Sequence, residues 1–226
     1  MSSLSQKEIM PIYKDVIELY KFSRAAKFRT YQRWFFGTPN EYVEQFVPKK
    51  GNIIDLGCGW GVFSNLLAIK SPERNVFGID LDERKIRWAQ KTVGARKNIR
   101  FAVQDLKSIE LTEVDTIVLY DVMHHLEGPV QLKVLRECFD KLALGGKLIL
   151  KENDIVPKWK LLVSHLVEVV ACGFNITLSK KILFRSKEEW VDLLEKYGFE
   201  VIHKEHVKTF YGFYVPHSLF VCKKRD

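Results

Sequence analysis

Cysteine is scarce in this chain of 226 residues: Cys58, Cys138, Cys172 and Cys222 lie far apart and form no Cys-x-x-Cys pair. That excludes a disulfide-built scaffold and a zinc knuckle, and it fits a reducing compartment. No run reaches the ~18–20 uninterrupted apolar residues that a membrane-spanning helix needs. Residues 1–11 hold no apolar signal core either, so a cytoplasmic protein is expected. The 13 glycines and 7 prolines are scattered and no segment repeats, which excludes collagen-like and low-complexity architectures. No G-x-x-x-x-G-K-[ST] pattern occurs, so the P-loop nucleotide hydrolases are removed. No group of His, Cys and carboxylate has metal-ligand spacing, and metal independence is expected.

What is present is a composition of 46% hydrophobic and 28% charged residues, enough for one domain with one core and some elaborations. From Asn52 onward short apolar runs alternate with helical periods, the pattern of β-α units around a parallel sheet. Strands are expected at Asn52–Leu56, Asn75–Asp80, Ile99–Gln104, Val114–Tyr120 and Lys147–Lys151. Helices are expected at Val62–Lys70, Asp82–Val93 and Val130–Ala143, the last stopped by Gly145–Gly146. A further helix, Ser186–Tyr197, begins with Ser186 and Glu189 at capping-box spacing and ends at Gly198. Phe199–Lys204 and Ser218–Cys222 then read as an antiparallel hairpin at the sheet edge.

Two segments break the alternation. Ile12–Phe36 reads as one or two amphipathic helices, whose second half carries Lys21, Arg24, Lys27, Arg29 and Arg33 and no acid. Asp154–Arg185 is an apolar, basic insertion. Residues 1–50 and 153–187 each carry a net charge of +4, against +1 for 51–152. The expected organisation is a single domain: a helical cap (1–50), a ligand-binding core (51–152), a substrate lid (153–187) and a C-terminal helix and hairpin (188–226).

The most specific signal is Ile53-Ile54-Asp55-Leu56-Gly57-Cys58-Gly59-Trp60-Gly61, a hydrophobic strand running through an acid into a glycine-rich turn before a helix. Such a turn lets backbone approach a ligand and aims helix N-terminal amides at an anionic group. The dinucleotide fingerprint wants glycine or alanine at the sixth position of G-x-G-x-x-G, where this chain has Val62, so a nicotinamide cofactor is disfavoured. Asp80, at the end of the second strand, can accept both hydroxyls of a ribose.

With these motifs the sequence resembles the class I S-adenosylmethionine-dependent methyltransferases, clearly over Asn52–Lys151. The resemblance implies a Rossmann-like α/β fold: an open, mostly parallel seven-stranded sheet with helices on both faces and an antiparallel C-terminal strand. It implies S-adenosylmethionine as cofactor, with Asp55, Gly57, Cys58, Gly59, Trp60 and Gly61 forming the turn around its methionine part and Asp80 on its ribose. Leu81 would pack on the adenine, Asp105 and Leu106 would meet the adenine edge, and Asp121 would lie where cofactor and acceptor meet. Trp60 either shields the cofactor or packs on the helix.

His124 and His125 titrate near neutrality beside that transfer site and are the general-base candidates, or one of them orients the loop. The basic cap and apolar insertion suit an acceptor with an anionic headgroup and an apolar tail, and the same surface could rest on an anionic membrane. The reading is therefore methyl transfer to a small-molecule or lipid-like acceptor. RNA methylation ranks second because the fourth strand lacks the [DN]-P-P-[YFW] motif. A non-catalytic cofactor-binding subunit is the third reading.

Overall fold

The computed structural model describes residues 13–36, 40–154, 183–207 and 217–225. The N-terminal segment forms two helices, residues 13–18 and α1 (Arg24–Phe36), followed by the short α2 (Asn40–Glu44). The alternation then runs β1 (Gly51–Leu56), α3 (Val62–Lys70), β2 (Arg74–Asp80), α4 (Glu83–Lys91), β3 (Ile99–Val103), β4 (Val114–Tyr120), α5 (Gly128–Lys141) and β5 (Leu142–Asn153). It closes with α6 (Lys187–Lys196), β6 (Phe199–Val207) and β7 (His217–Lys224). The insertion, at residues 155–182, lies outside the described residues, as does the aromatic stretch between β6 and β7.

One seven-stranded sheet has the order β3-β2-β1-β4-β5-β7-β6. Strands β1 to β5 are parallel, while β7 is antiparallel to both β5 and β6. Strand order reverses between β1 and β4, so a crevice opens beyond their carboxyl ends, where open α/β sheets bind ligands.

Burial on both faces explains the near-continuous apolar character of these strands. Ile53, Val76, Val118 and Ile149 face one core with Tyr20, from the turn before α1, and with Ala26, Leu66 and Ala89 from the helices. Ile54, Leu56, Leu119 and Leu150 face the other, packed on Leu135 and Cys138 of α5 and Trp190 and Leu194 of α6. Ahead of β1, Arg74 fastens the chain: its guanidinium is fully buried, pairs with Glu44 at 2.7 Å and donates to the carbonyls of Val47, Pro48 and Leu67. Removing one member of such a pair strands the other charge, at a cost of about 3–5 kcal/mol.

The helix boundaries follow their caps. Both halves of the Ser186–Glu189 capping box form, and Gly198 ends α6 with φ 93°. Helix α5 stops at Lys141 rather than Ala143, because Leu142 already pairs with Val114 of β4. The Gly145–Gly146 pair therefore lies within the irregular start of β5. A Cβ on Gly146 would come within 2.9 Å of the Asp115 carbonyl, so glycine lets the two strands approach.

Candidate active site

The glycine turn joins β1 to α3. Gly57 adopts φ 76°, and a Cβ there would collide with Val122 beyond β4 at 2.3 Å, so the turn and the loop after β4 touch. Gly59 adopts φ 57° with none of the described residues within 4 Å of its Cβ position. Asp80 braces the turn while remaining partly exposed: Gly59 N–H donates to Oδ2 at 2.9 Å and Asp82 N–H donates to Oδ1 at 2.8 Å. Each oxygen keeps a second lone pair for an incoming hydroxyl. Leu81 beside it is half exposed, an apolar shelf at the crevice edge.

Trp60 packs against Trp88 with ring centroids 4.4 Å apart and planes tilted by 45°, and it lies beneath the Arg29 guanidinium. Its carbonyl accepts a hydrogen bond from Tyr20. Burial, with Asp55 and Asp80 close by, pushes the Cys58 thiol well up and keeps it protonated. Asp55 and Leu106 sit deeper than the motif suggests. Asp55 is buried beneath the turn and accepts from Ser64 of α3, while Leu106 is buried in the second core. Asp105 is partly exposed and caps the 3₁₀ turn at Leu106–Ser108 by accepting from Lys107 N–H at 2.9 Å.

The loop after β4 gathers a polar cluster that the motifs only half announce. Asp121 holds φ 54°, a left-handed backbone unusual for a non-glycine residue. Lys151 Nζ, fully buried, donates to Asp121 Oδ1 at 2.6 Å. Glu152, equally buried, lies 2.6 Å from His124 Nδ1. The His124 ring is buried between His125, at 4.1 Å, and Phe184, at 5.3 Å. Across the insertion the chain returns onto this loop, because Leu183 N–H donates to the His124 carbonyl and Arg185 donates to Gln131, which itself donates to the Met123 carbonyl.

His217 completes the cluster, with Nδ1 4.0 Å from Asp121 Oδ1. Burial, reinforced by the Lys151 charge, pushes its pKa down to about 3, so the imidazole is neutral near pH 7. Lys151, Glu152 and His217 were not among the site residues expected from the sequence. The adjacent charges ending the apolar run Leu148-Ile149-Leu150 were the available signal for the first two. His217 enters through β7, whose register sets it opposite Asn153 of β5.

A family model described as a methyltransferase domain matches residues 53–146. Over these residues the chain is similar to a methyltransferase domain, and its fold is that of the class I S-adenosylmethionine-dependent methyltransferases. Its relatives include the putative methyltransferase YqeM of Bacillus subtilis, 39% identical over 35% of this chain and 29% of that protein. A carboxy-S-adenosyl-L-methionine synthase of Campylobacter hominis is 24% identical over 72% of this chain and 75% of its own length. The mitochondrial ubiquinone biosynthesis O-methyltransferase of Candida albicans is 28% identical over 62% of this chain and 44% of that protein. The chain thus spans under half of two of these relatives. Among solved structures, a putative methyltransferase in complex with the Haloferax volcanii Trm112 activator superposes with a TM-score of 0.71 at 14% identity, covering 93% of this chain and 98% of that one.

The methyltransferase site fits the family's cofactor by its donor set. The turn at Gly59, the lone pairs of Asp80 and the exposed Leu81 would receive methionine, ribose and adenine in turn. Among the described residues no group of three His, Cys, Asp or Glu is arranged to hold a metal ion.

Proposed function

We propose that this methyltransferase moves the methyl group of S-adenosylmethionine to a small-molecule or lipid-like acceptor. The observation that carries the reading is the contact of Gly57 with Val122, which sets the glycine turn directly against the loop bearing Asp121, His124 and His125. Bound S-adenosylmethionine supplies an electrophilic methyl on a sulfonium, displaced in line as the thioether departs. The chain's own task is then to bind, orient and exclude water. The proton of an acceptor hydroxyl or amine would pass to a residue of the Asp121 cluster.

The N-terminal helices and the insertion are proposed as the acceptor's lid. Support comes from Tyr20, which joins the N-terminal helices to the glycine turn, and from Leu183, which joins the end of the insertion to the loop after β4. A greasy acceptor agrees with the similarity to the ubiquinone biosynthesis O-methyltransferase. An anionic headgroup would draw on the basic cap and insertion, since apart from Lys151 the described cluster is made of acids and histidines.

The test has two arms. Calorimetry with S-adenosylmethionine should show saturable binding, and its absence overturns the reading. Incubation of radiolabelled cofactor with cell extract should place label in an organic-soluble or small polar fraction. Label confined to RNA or protein would move the assignment to those acceptors, and binding without any transfer would favour a non-catalytic subunit.

A further inference from the structure

Lys151 and Glu152 are consecutive on β5 and therefore project to opposite faces of the sheet. Both are fully buried, and both reach the same four-residue stretch beyond β4. On one face, Lys151 Nζ donates to Asp121 Oδ1, and the Lys151 carbonyl accepts from Asp121 N–H at 2.9 Å. On the other, Glu152 Oε1 accepts from Val122 N–H at 2.9 Å and from Met123 N–H at 2.7 Å, while Oε2 lies 2.6 Å from His124 Nδ1. The loop is pinned from both faces as it crosses the end of the sheet. That pinning holds Asp121 in the left-handed region, which costs a non-glycine residue about 1 kcal/mol or more.

The chemistry of the contact decides the state of His124. A carboxylate only accepts, so the proton between Glu152 and His124 belongs to Nδ1, and in the neutral ring the lone pair lies on Nε2. We infer that Glu152 is a positioning residue for methyl transfer: it sets the 121–124 loop and fixes His124 with its proton on Nδ1, so that Nε2 is the nitrogen able to take a proton. The inference rests on reading this loop as the transfer site.

Two variants separate positioning from bulk support. In Glu152→Gln the amide oxygen can still accept from Val122 and Met123, but the amide nitrogen faces His124 and donates, which moves the ring proton to Nε2. Histidine-selective nitrogen NMR should find His124 protonated at Nδ1 in the native protein and reversed in Glu152→Gln. In Glu152→Ala, hydrogen exchange at the Val122 and Met123 amides should accelerate. With labelled cofactor and extract, Glu152→Gln should lower transfer about tenfold or more while cofactor affinity stays within about twofold.

A native His124 protonated at Nε2, a ring unchanged in Glu152→Gln, or full transfer by that variant would each overturn the inference. Absence of transfer by the native protein would instead sink the methyltransferase reading, leaving the ring-nitrogen measurement to decide the geometry.

Discussion

The Tyr20 hydroxyl donates to the Trp60 carbonyl at 2.7 Å, joining residues forty positions apart and fixing the middle of the glycine turn to the N-terminal helices. The same hydroxyl accepts from Asn65 Nδ2 at 3.1 Å, which reaches it from α3. Tyr20 is fully buried, so it is part of the core and also a brace for the ligand loop. Tyr20→Phe keeps the ring and deletes both bonds. It should cost about 1–2 kcal/mol in urea unfolding and weaken cofactor binding, because an unbraced turn is less organised before binding. Unchanged calorimetric affinity would show that the turn holds its shape without this brace.

Asp80→Ala removes the acceptors for Gly59 and Asp82 N–H together with those proposed for the ribose. Cofactor affinity should fall about tenfold, or ~1.4 kcal/mol. Competition with adenosine gives a second readout, since a ribose contact predicts that adenosine loses affinity in parallel. Equal binding of adenosine by both proteins would remove Asp80 from the ribose.

His217 predicts a pH dependence of stability. Its folded pKa, about 3, lies below the ordinary histidine value of 6.5, because burial and Lys151 oppose the charged ring. Between these values the unfolded chain binds the extra proton, so stability is complete above about pH 6.5 and falls as pH drops toward 3, by up to about 1.4 kcal/mol per unit. His217→Asn should flatten the acid limb of a stability profile measured from pH 7 to 4. An identical slope in the variant would mean that His217 is protonated when folded.

The exposed Phe and Tyr side chains among those whose burial is described lie near the N-terminus: Phe22, Phe28 (62% exposed) and Tyr31. Phe28 and Tyr31 share a face of α1 with Arg24 and Lys27, at spacings of three, four and seven residues. Rings among cations suit an anionic lipid interface. Vesicles of phosphatidylcholine with phosphatidylglycerol should sediment the protein, phosphatidylcholine alone should not, and Phe28→Ser with Lys27→Gln should weaken the association. Equal recovery with both vesicle types would exclude this surface as a membrane contact. No helix among the described residues is long and apolar enough to cross a membrane.

The parts of the fold legible in the sequence are those governed by local rules. The alternation of strand and helix, the Ser186 capping box and the glycine turn depend on residues within a few positions of one another. Asp105 illustrates the limit: expected at the adenine edge, it also caps the 3₁₀ turn at Leu106–Ser108 through Oδ1, a bond compatible with that contact. Lys151 and Glu152 were illegible for another reason. Charges ending a strand read as its exposed tip, but β7 runs alongside, pairing Leu219 with Lys151 and Ser218 with Glu152. Their burial is set by a strand almost seventy residues away, as is the arrival of His217 beside Asp121. No window of neighbouring residues contains that information.

Strand β7 lies between β5 and β6 although it follows both in the chain. During synthesis β6 therefore emerges with no neighbour to bond and must wait for residues 217–224 to be made before it joins the sheet. The same event covers Lys151 and delivers His217, so this cluster is complete only once β7 has joined β5. A nascent chain halted before β7 would present a sheet ending at β5, with an open edge and two uncovered charges that a chaperone could recognise.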